Sequence, residues 1–301
     1  MGTRGSHKEF QTRRRLTMEA IYEKQISGSR VNVSNLLRFS GVSRSSYYRY
    51  VKRRLELPIK DMKTAKLIER LHHKRKGKIG IRQLKMELYR EHGLIVNHKK
   101  IARIKRQLNL VTLIRKKRTY TQLNAQKHKV FSNILDRKFK AKRPLQKLLT
   151  DITQINYGID KKAYLVAFKD LGDKSIVSYK LSRNMKYDFV NKALDKLCNT
   201  HKLNGALIHS DQGSHFTCKS FVKRLEKEGV IQSMSRRGEC HDNAPMESFF
   251  GLIKDHLEPK EAYNFDEIKK QVDKAIYYYN YERPQIGLNK MPPVEYRRQI
   301  I

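Results

Sequence analysis

The chain has 301 residues, with 66 Lys and Arg against 29 Asp and Glu, which gives a formal net charge of +37. Its longest apolar runs are too short to span a bilayer, and no charged-then-apolar signal peptide opens it, so a membrane protein is excluded. The three cysteines form neither a CxxC pair nor a zinc pattern with the eleven histidines. We therefore expect a reduced protein of the cytoplasm, without a disulfide scaffold or a structural zinc.

Positive charge is concentrated in the first half of the chain. Residues 1–150 contain 41 Lys and Arg and 9 acids, whereas residues 151–301 contain 25 and 20. A half with a net charge of +32 repels itself unless a polyanion neutralises it. Nucleic acid is the expected partner, because each neutralised phosphate releases counterions and adds to the affinity. Charge alone is equally typical of a ribosomal-type or merely soluble basic protein.

The first 58 residues predict a basic leader and a helix-turn-helix unit. Residues 1–15 have the composition of a disordered leader, and a helical pattern begins at Thr17. Leu36, Leu37 and Phe39 form the apolar face of a second helix, which a glycine ends, and Ser43 can cap the next helix. A helix, a short turn and a second helix that opens with Ser and Arg together form the helix-turn-helix arrangement.

A second helix-turn-helix unit is predicted over residues 59–112. Gly93 ends one helix, and Asn97 can cap the helix that runs to Leu108. In both units the basic residues lie outside a thin apolar stripe, which favours DNA contact, although a solvated charged face remains an alternative for each. The predicted DNA-binding residues are Arg44, Arg49, Arg82, Lys99, Lys100 and Arg103. Residues 113–143 form a basic linker, which we expect to lie along phosphates through Arg115, Lys116, Lys117 and Arg118.

Strands and helices alternate after residue 144. Apolar runs at 148–157, 163–170 and 175–181 predict an antiparallel meander. A helix at 187–200, a strand at 206–210, a helix at 216–228, a strand at 231–234 and a helix at 243–257 follow. This order is that of an α/β ribonuclease H-like core with a mixed five-stranded sheet, here preceded by all-α DNA-binding units. We expect the core at 144–260 and a C-terminal helical extension at 261–301.

Three acids occupy unusual positions in this core. Asp151 lies inside the first strand, Asp211 directly after the fourth, and Glu247 in the first turns of a helix. An Asp in an apolar strand is unfavourable unless it faces a site or a partner. Carboxylates from converging elements are the ligands that hard divalent cations prefer, and two such ions can clamp an in-line phosphoryl transfer. Each acid alone is more simply a turn residue or a helix N-terminal charge.

Neighbouring residues extend the candidate site. Lys254 lies seven residues after Glu247, on the same helix face, and can donate to a substrate phosphate. Asn243 lies one turn before Glu247 and either contacts DNA or caps the helix. Gly213 permits a tight turn after Asp211. His209 and His215 are interpreted as structural histidines.

The contexts of these residues resemble the transposases of the IS3 family of insertion sequences, and more distantly the retroviral integrases. The matching stretches are TDIT at 150–153, HSDQGSHF at 209–216, SMSRRGECHDNAPMESFFG at 233–251, YNYERPQ at 279–285 and GLN at 287–289. Between Asp211 and Glu247 lie 35 residues, the spacing of the family's DD(35)E signature. The resemblance covers nearly the whole chain and is to the catalytic second-frame product.

The resemblance implies a chemistry and a set of partners. Asp151, Asp211 and Glu247 are the implied catalytic and metal-binding residues, with two Mg²⁺ or Mn²⁺ ions per site when DNA is bound. The implied reaction is nicking of 3′ ends at terminal inverted repeats of double-stranded DNA, followed by strand transfer on a copy-out, paste-in route. At least a homodimer is expected to synapse two ends and to meet target DNA on the bacterial nucleoid, with an upstream first-frame product as a further partner.

Two other functions compete with this interpretation. A non-catalytic DNA-binding regulator of transposition would need the basic units but not three acids that face phosphate. A simple ribonuclease H-like nuclease would cut without joining and would need no helix-turn-helix units. Strand joining distinguishes both from a transposase.

Overall fold

A computed structural model describes residues 3–27, 32–55, 61–113 and 130–300 of the chain. It divides into two compact units, Met1–Leu113 and Ile114–Ile301. Within the described residues, the helices are all too short or too polar to cross a membrane. The predicted basic contacts Arg115, Lys116, Lys117 and Arg118 lie outside the described residues.

The first unit opens with three helices, α1 (Thr3–Ile26), α2 (Val33–Phe39) and α3 (Arg44–Leu55). The predicted cap of α3 is confirmed, since Ser43 Oγ accepts the backbone N–H of Ser46 at 3.3 Å. The predicted disordered leader is wrong, because α1 already begins at Thr3. The physical reason is that Arg, Lys, Gln and Glu, which suggested disorder through their charge, are also good helix formers.

One residue of the predicted apolar face of α2 is misplaced. Leu37 is buried in the small core between these helices, but Phe39 is 84% exposed. Residues two apart on a helix point about 200° away from each other, so the two side chains cannot share one face. The remaining core residues of this region are Ile21, Tyr22, Val42 and Tyr47.

The second half of the unit contains α4 (Met62–Lys74), α5 (Ile81–His92) and α6 (His98–Gln107). Both predicted helix boundaries are confirmed. Gly93 ends α5 in the left-handed conformation at φ +64°, which glycine adopts at little cost. Asn97 caps α6 by accepting the backbone N–H of Lys99 at 2.8 Å. Ile68, Leu84, Leu88, Ile101 and Ile104 are fully buried between the three helices.

The second unit is built on a five-stranded sheet. Its strands are β1 (Lys147–Tyr157), β2 (Lys161–Asp170), β3 (Ile176–Ser182), β4 (Leu207–Ser210) and β5 (Ile231–Met234). The spatial order is β3-β2-β1-β4-β5. The first three strands pair antiparallel, whereas β4 runs parallel to β1 and β5 parallel to β4. The predicted meander and the ribonuclease H-like fold are therefore confirmed.

Helices cover both faces of the sheet because neighbouring strand residues point to opposite sides. Leu148 belongs to the core beneath α7 (Tyr187–Thr200), α8 (Ser214–Thr217) and α9 (Lys219–Lys227). Leu149 belongs to the opposite core, beneath α10 (Ala244–His256) and α11 (Phe265–Tyr277). The single helix predicted at 216–228 is two helices, because Cys218 adopts an extended conformation.

The C-terminal residues are part of the same core. Ile268, Val272 and Ile276 of α11 are buried beside Phe249 and Ile253 of α10. A π-helical turn, Tyr278–Glu282, continues α11, and α12 (Pro293–Ile300) follows. The residues predicted as a helical extension thus pack directly on the helix that carries Glu247.

Candidate active site

The sheet places two of the three acids side by side. Leu149 of β1 pairs with His209 of the parallel strand β4. Asp151 and Asp211 each follow two residues later, so the two acids lie next to each other at the same end of the two strands. Glu247 belongs to α10, which covers one face of the sheet. It is exposed in the first turn of α10, and α10 packs against β1.

The electrostatics of Asp151 show that Asp211 and Glu247 both lie within electrostatic range of it. Burial, followed by repulsion from Asp211 and from Glu247, raises the pKa of Asp151 to about 8. The backbone N–H of Ile152, which donates to Asp151 Oδ1 at 2.7 Å, and the charge of Lys254 act in the opposite direction. Desolvation raises the pKa of Asp211 as well. Negative charge therefore accumulates here at a cost that a bound cation would remove.

Asp211 is held by the backbone that follows it. Its Oδ1 accepts the N–H of Gly213 at 2.9 Å, and a Cβ added to Gly213 would lie 2.8 Å from the same oxygen. The chain turns after Asp211 between β4 and α8, as predicted, but Gly213 has a φ of −62°, which suits any residue. The absence of a side chain lets the Asp211 carboxylate approach the backbone closely, and a Cβ at this position would force the carboxylate to move.

Replacing Gly213 by alanine should therefore displace the Asp211 carboxylate. We expect the predicted strand-joining activity to fall about 10- to 100-fold, because misplacement by about 1 Å is enough to cost this much. The free energy of unfolding should change by less than about 1 kcal/mol. Joining rates and urea unfolding of both proteins measure the two effects. Gly80→Ala is the matched control, since a Cβ there meets no atom within 4 Å. Joining at the wild-type rate in Gly213→Ala would show that the position of Asp211 is not critical.

Lys254 is the basic residue of the site, and Thr153 holds it in place. Lys254 Nζ donates to Thr153 Oγ1, and Thr153 lies two residues beyond Asp151, on the same face of β1. The charge of Lys254 acts to lower the pKa of Asp151, so the ammonium lies within electrostatic range of that carboxylate. The prediction that Lys254 lies on the acid-bearing side of α10 is consistent with this geometry, and its contact with DNA stays a prediction.

Asn243 ties the start of α10 to the first strand. It is buried, and its Nδ2 donates to the Thr150 carbonyl at 3.2 Å. Its side chain makes no capping hydrogen bond, so the capping interpretation is wrong. The predicted DNA contact is untested. In this structure the side chain braces the backbone next to Asp151.

Two residues that contribute to the site were not found from the sequence. Lys169 of β2 is buried, donates to the Pro245 carbonyl at 2.9 Å, and lies 5.8 and 5.9 Å from the ring centres of Phe249 and Tyr279. It therefore braces the first turn of α10, two residues before Glu247. Asp242 is fully buried directly before α10. A lysine inside an apolar strand was the only available signal for the first.

The two histidines near the acids are structural, as predicted. His209 lies with Nδ1 2.9 Å from Ser233 Oγ and Nε2 3.1 Å from Ser235 Oγ. Burial lowers its pKa to about 4, so the ring is neutral. His215 lies with Nε2 2.8 Å from the Met185 carbonyl.

The predicted DNA contacts of the first unit fall into two groups. Arg44, Arg49, Arg82 and Lys99 are exposed. Lys100 and Arg103 instead pair with Asp61, which is 1% exposed at the start of α4, and the Lys100 Nζ–Asp61 Oδ1 distance is 2.6 Å. These two cations thus hold α6 to α4, although they remain partly accessible.

Comparison with known proteins identifies the family. Residues 141–240 and 228–293 each match an integrase core domain, and residues 60–118 match an HTH-like domain. The putative transposase InsK for insertion sequence element IS150 of Escherichia coli K12 is 35% identical over 271 residues, which cover 89% of this chain and 94% of that protein. The chain belongs to the IS3 family of insertion-sequence transposases.

Other relatives of the transposase cover most of its length. An uncharacterized 31 kDa protein of insertion element IS600 from Shigella sonnei is 31% identical over 86% of this chain and 96% of its own. Transposase InsF for insertion sequence IS3A of E. coli K12 is 26% identical over 74% and 78%. Among solved structures, the simian T-cell lymphotropic virus intasome matches 76% of this chain and 74% of its own, at 13% identity and a TM-score of 0.47.

The donor set of the transposase suits a hard divalent cation. Carboxylate oxygens are the preferred ligands, and the mutual repulsion of these acids is relieved when a cation lies between them. In the parts of the chain that the structure describes, no three His, Cys, Asp or Glu side chains form a complete metal site. Mg²⁺ needs only one or two carboxylates, since water and substrate phosphate fill its other positions. Asp151 and Asp211 are the two carboxylates that could hold a first ion.

Proposed function

We propose that the transposase is a metal-dependent polynucleotidyl transferase that nicks the 3′ ends of its insertion sequence and joins them to other DNA. The observation that carries the proposal is the convergence of Asp151, Asp211 and Glu247. Burial, and after it the charges of Asp211 and Glu247, raise the pKa of Asp151, so a bound cation would stabilise its charged form. Asp151, Asp211 and Glu247 are the proposed catalytic and metal-binding residues.

The proposed reaction consists of two in-line phosphoryl transfers. In the first, a water oxygen attacks a phosphorus atom at the end of the element, and the 3′-oxygen leaves as a hydroxyl. In the second, that 3′-hydroxyl attacks another phosphodiester, so one P–O bond forms as one breaks. No covalent protein–DNA bond is expected, because the carboxylates act as ligands. A pair of bound Mg²⁺ or Mn²⁺ ions would supply Lewis-acid stabilisation of the attacking and leaving oxygens.

The chain's own residues hold and orient the participants. Backbone N–H groups of Ile152 and Gly213 fix one oxygen each of Asp151 and Asp211, and within the described residues the second oxygens remain available for a ligand. Lys254, anchored on Thr153, is placed to donate to a substrate phosphate. Lys169 and Asn243 brace the beginning of α10 and thereby the position of Glu247.

The helix-turn-helix units are proposed to bind the terminal inverted repeats through the exposed residues Arg44, Arg49, Arg82 and Lys99. The route is copy-out, paste-in, in which one end joins the other on the same strand before integration into target DNA. Synapsis of two ends requires at least a homodimer, on the nucleoid of a bacterial cytoplasm. A first-frame product is a candidate partner for this assembly.

The test is a strand-transfer assay with labelled DNA that carries the ends of the element, in Mg²⁺ or Mn²⁺, beside Glu247→Gln. Joined products that disappear in the variant and with a chelator support the proposal. DNA binding without cutting or joining, unchanged by the substitution, indicates a non-catalytic regulator. Cutting without joining indicates a simple nuclease. The assay is run with and without the first-frame product, so that an absent partner is not mistaken for absent chemistry.

A further inference from the structure

A buried carboxylate two residues before the start of α10 holds two arginines. Asp242 is 0% exposed and accepts N–H groups from Asn133 Nδ2 at 2.9 Å, from Arg137 Nε at 2.6 Å and from the backbone of Arg236 at 2.9 Å. The guanidinium of Arg236 also grips it, through Nε at 2.9 Å and Nη2 at 2.8 Å. These hydrogen bonds hold the pKa of Asp242 well below its usual range, so it stays charged and keeps both arginines in place.

The two arginines, Arg137 and Arg236, are called the arginine pair. Each directs one edge of its guanidinium group towards Asp242. Their side chains are 42% (Arg137) and 50% (Arg236) exposed, and they are close enough for the charge of Arg236 to act on Arg137. A guanidinium has five N–H donors in a fixed fork, so donors remain for a second ligand on the outer side. In the free protein, Glu239 accepts one of them, from Arg137 Nη2 at 2.6 Å.

The two carboxylates differ in how firmly they are bound. Asp242 is buried and accepts five hydrogen bonds, whereas Glu239 is 49% exposed and pairs with Arg137 alone among the described residues. Exposed ion pairs contribute little and are screened by salt. Asp242 is therefore a permanent part of the arrangement, and Glu239 is a ligand that another anion can replace.

We propose that the arginine pair is a binding site for a backbone phosphate of the DNA, and that Glu239 occupies this site until DNA arrives. Arginine is suited to a phosphodiester because its fork matches two phosphate oxygens, and here Asp242 has already restricted its rotamers. Asp242 is five residues before Glu247, so the bound phosphate would lie beside the start of α10. The inference rests on the proposed function, since the ligand is the DNA on which the transposase acts.

The experiment measures binding of the full chain to labelled transposon-end DNA over a range of KCl concentrations, by fluorescence anisotropy. Arg236→Gln should weaken binding about tenfold and reduce the slope of log K against log salt by about 1. Glu239→Gln should act in the opposite direction and strengthen binding about threefold, because the competing carboxylate is gone. Arg298→Gln, at an exposed arginine of α12, makes the same charge change and should alter affinity by less than twofold.

The opposite sign of the two substitutions is the decisive readout. Glu239 is exposed, so its substitution tests the site even if Arg236→Gln fails to fold, and Arg236→Lys keeps the charge but loses the fork. Equal behaviour of Glu239→Gln and wild type, together with an Arg236→Gln slope that matches Arg298→Gln, would overturn the proposal. Binding is measured without joining, so a failed phosphate site is distinguishable from a failed catalytic function.

Discussion

Replacing Asp151 by asparagine is expected to abolish strand joining and, at the same time, to stabilise the protein in the absence of divalent cations. Joining should fall about a thousandfold or more, because a neutral amide is a poor ligand for the ions that the reaction is proposed to need. The free energy of unfolding should rise by about 1–3 kcal/mol, since burial and the charges of Asp211 and Glu247 penalise the native carboxylate. Asparagine retains an oxygen that can accept the N–H of Ile152.

The stabilisation should depend on pH in a defined direction. The folded-state pKa of Asp151, about 8, lies above the ordinary value of 3.8, so the folded protein holds this proton more tightly than the unfolded chain. The contribution of Asp151 to stability is therefore complete below about pH 4 and is lost as the pH rises towards 8. Asp151→Asn should flatten this decline.

Urea unfolding at pH 5 and pH 8, with a chelator or with Mg²⁺, measures both effects. Mg²⁺ should raise the wild-type midpoint at pH 8 and should have a much smaller effect on Asp151→Asn. Asp151→Asn that is less stable than wild type at pH 8 without metal would contradict the assigned electrostatics. A variant that still joins DNA would remove Asp151 from the proposed catalytic set.

Replacing Arg297 by glutamine is expected to destabilise the catalytic unit by about 3–5 kcal/mol. Arg297 of α12 donates from Nη2 to Asp170 Oδ2 at 2.8 Å and to Ser175 Oγ at 3.1 Å, and from Nε to Asp173. Both aspartates are 0% exposed; Asp170 is the last residue of β2 and Asp173 lies in the turn to β3. Without Arg297, two buried negative charges would remain uncompensated, which is the costly way to disrupt a buried ion pair.

The loss should shrink at low pH. Burial, with repulsion from Asp173 as the next cause, raises the pKa of Asp170 to about 6 even with Arg297 present. Protonation of Asp170 at pH 5 would remove one of the uncompensated charges in the variant. The difference in unfolding free energy between wild type and Arg297→Gln should therefore be smaller at pH 5 than at pH 8, by urea titration. A difference below about 1 kcal/mol at pH 8, or one equal to that of Arg298→Gln, would show that the arginine is not essential.

Elements with a regular local pattern could be predicted from the sequence. Apolar runs bounded by turn residues located all five strands, and Gly93 and Asn97 marked helix boundaries that the structure confirms. The predictions that were wrong depended on weak local signals. Phe39 has the composition of a core residue but the wrong helical angle, and the basic residues after Thr3 have both a disordered and a helical preference.

The sequence by itself determined the fold class and the family, and it singled out the three acids that we propose as ligands, because apolar runs, capping residues and long contiguous motifs are local properties of the chain. Only the tertiary structure decided which charges are paired. Arg137 and Asp242 are 105 positions apart, and Asp61 reaches Arg103 across 42. The sequence alone is equally compatible with Lys169 as an exposed residue of an edge strand, whereas the structure buries it in the inner strand β2. Such pairings depend on which side chains are buried together, and burial is decided by the packing of distant elements, which no local pattern encodes.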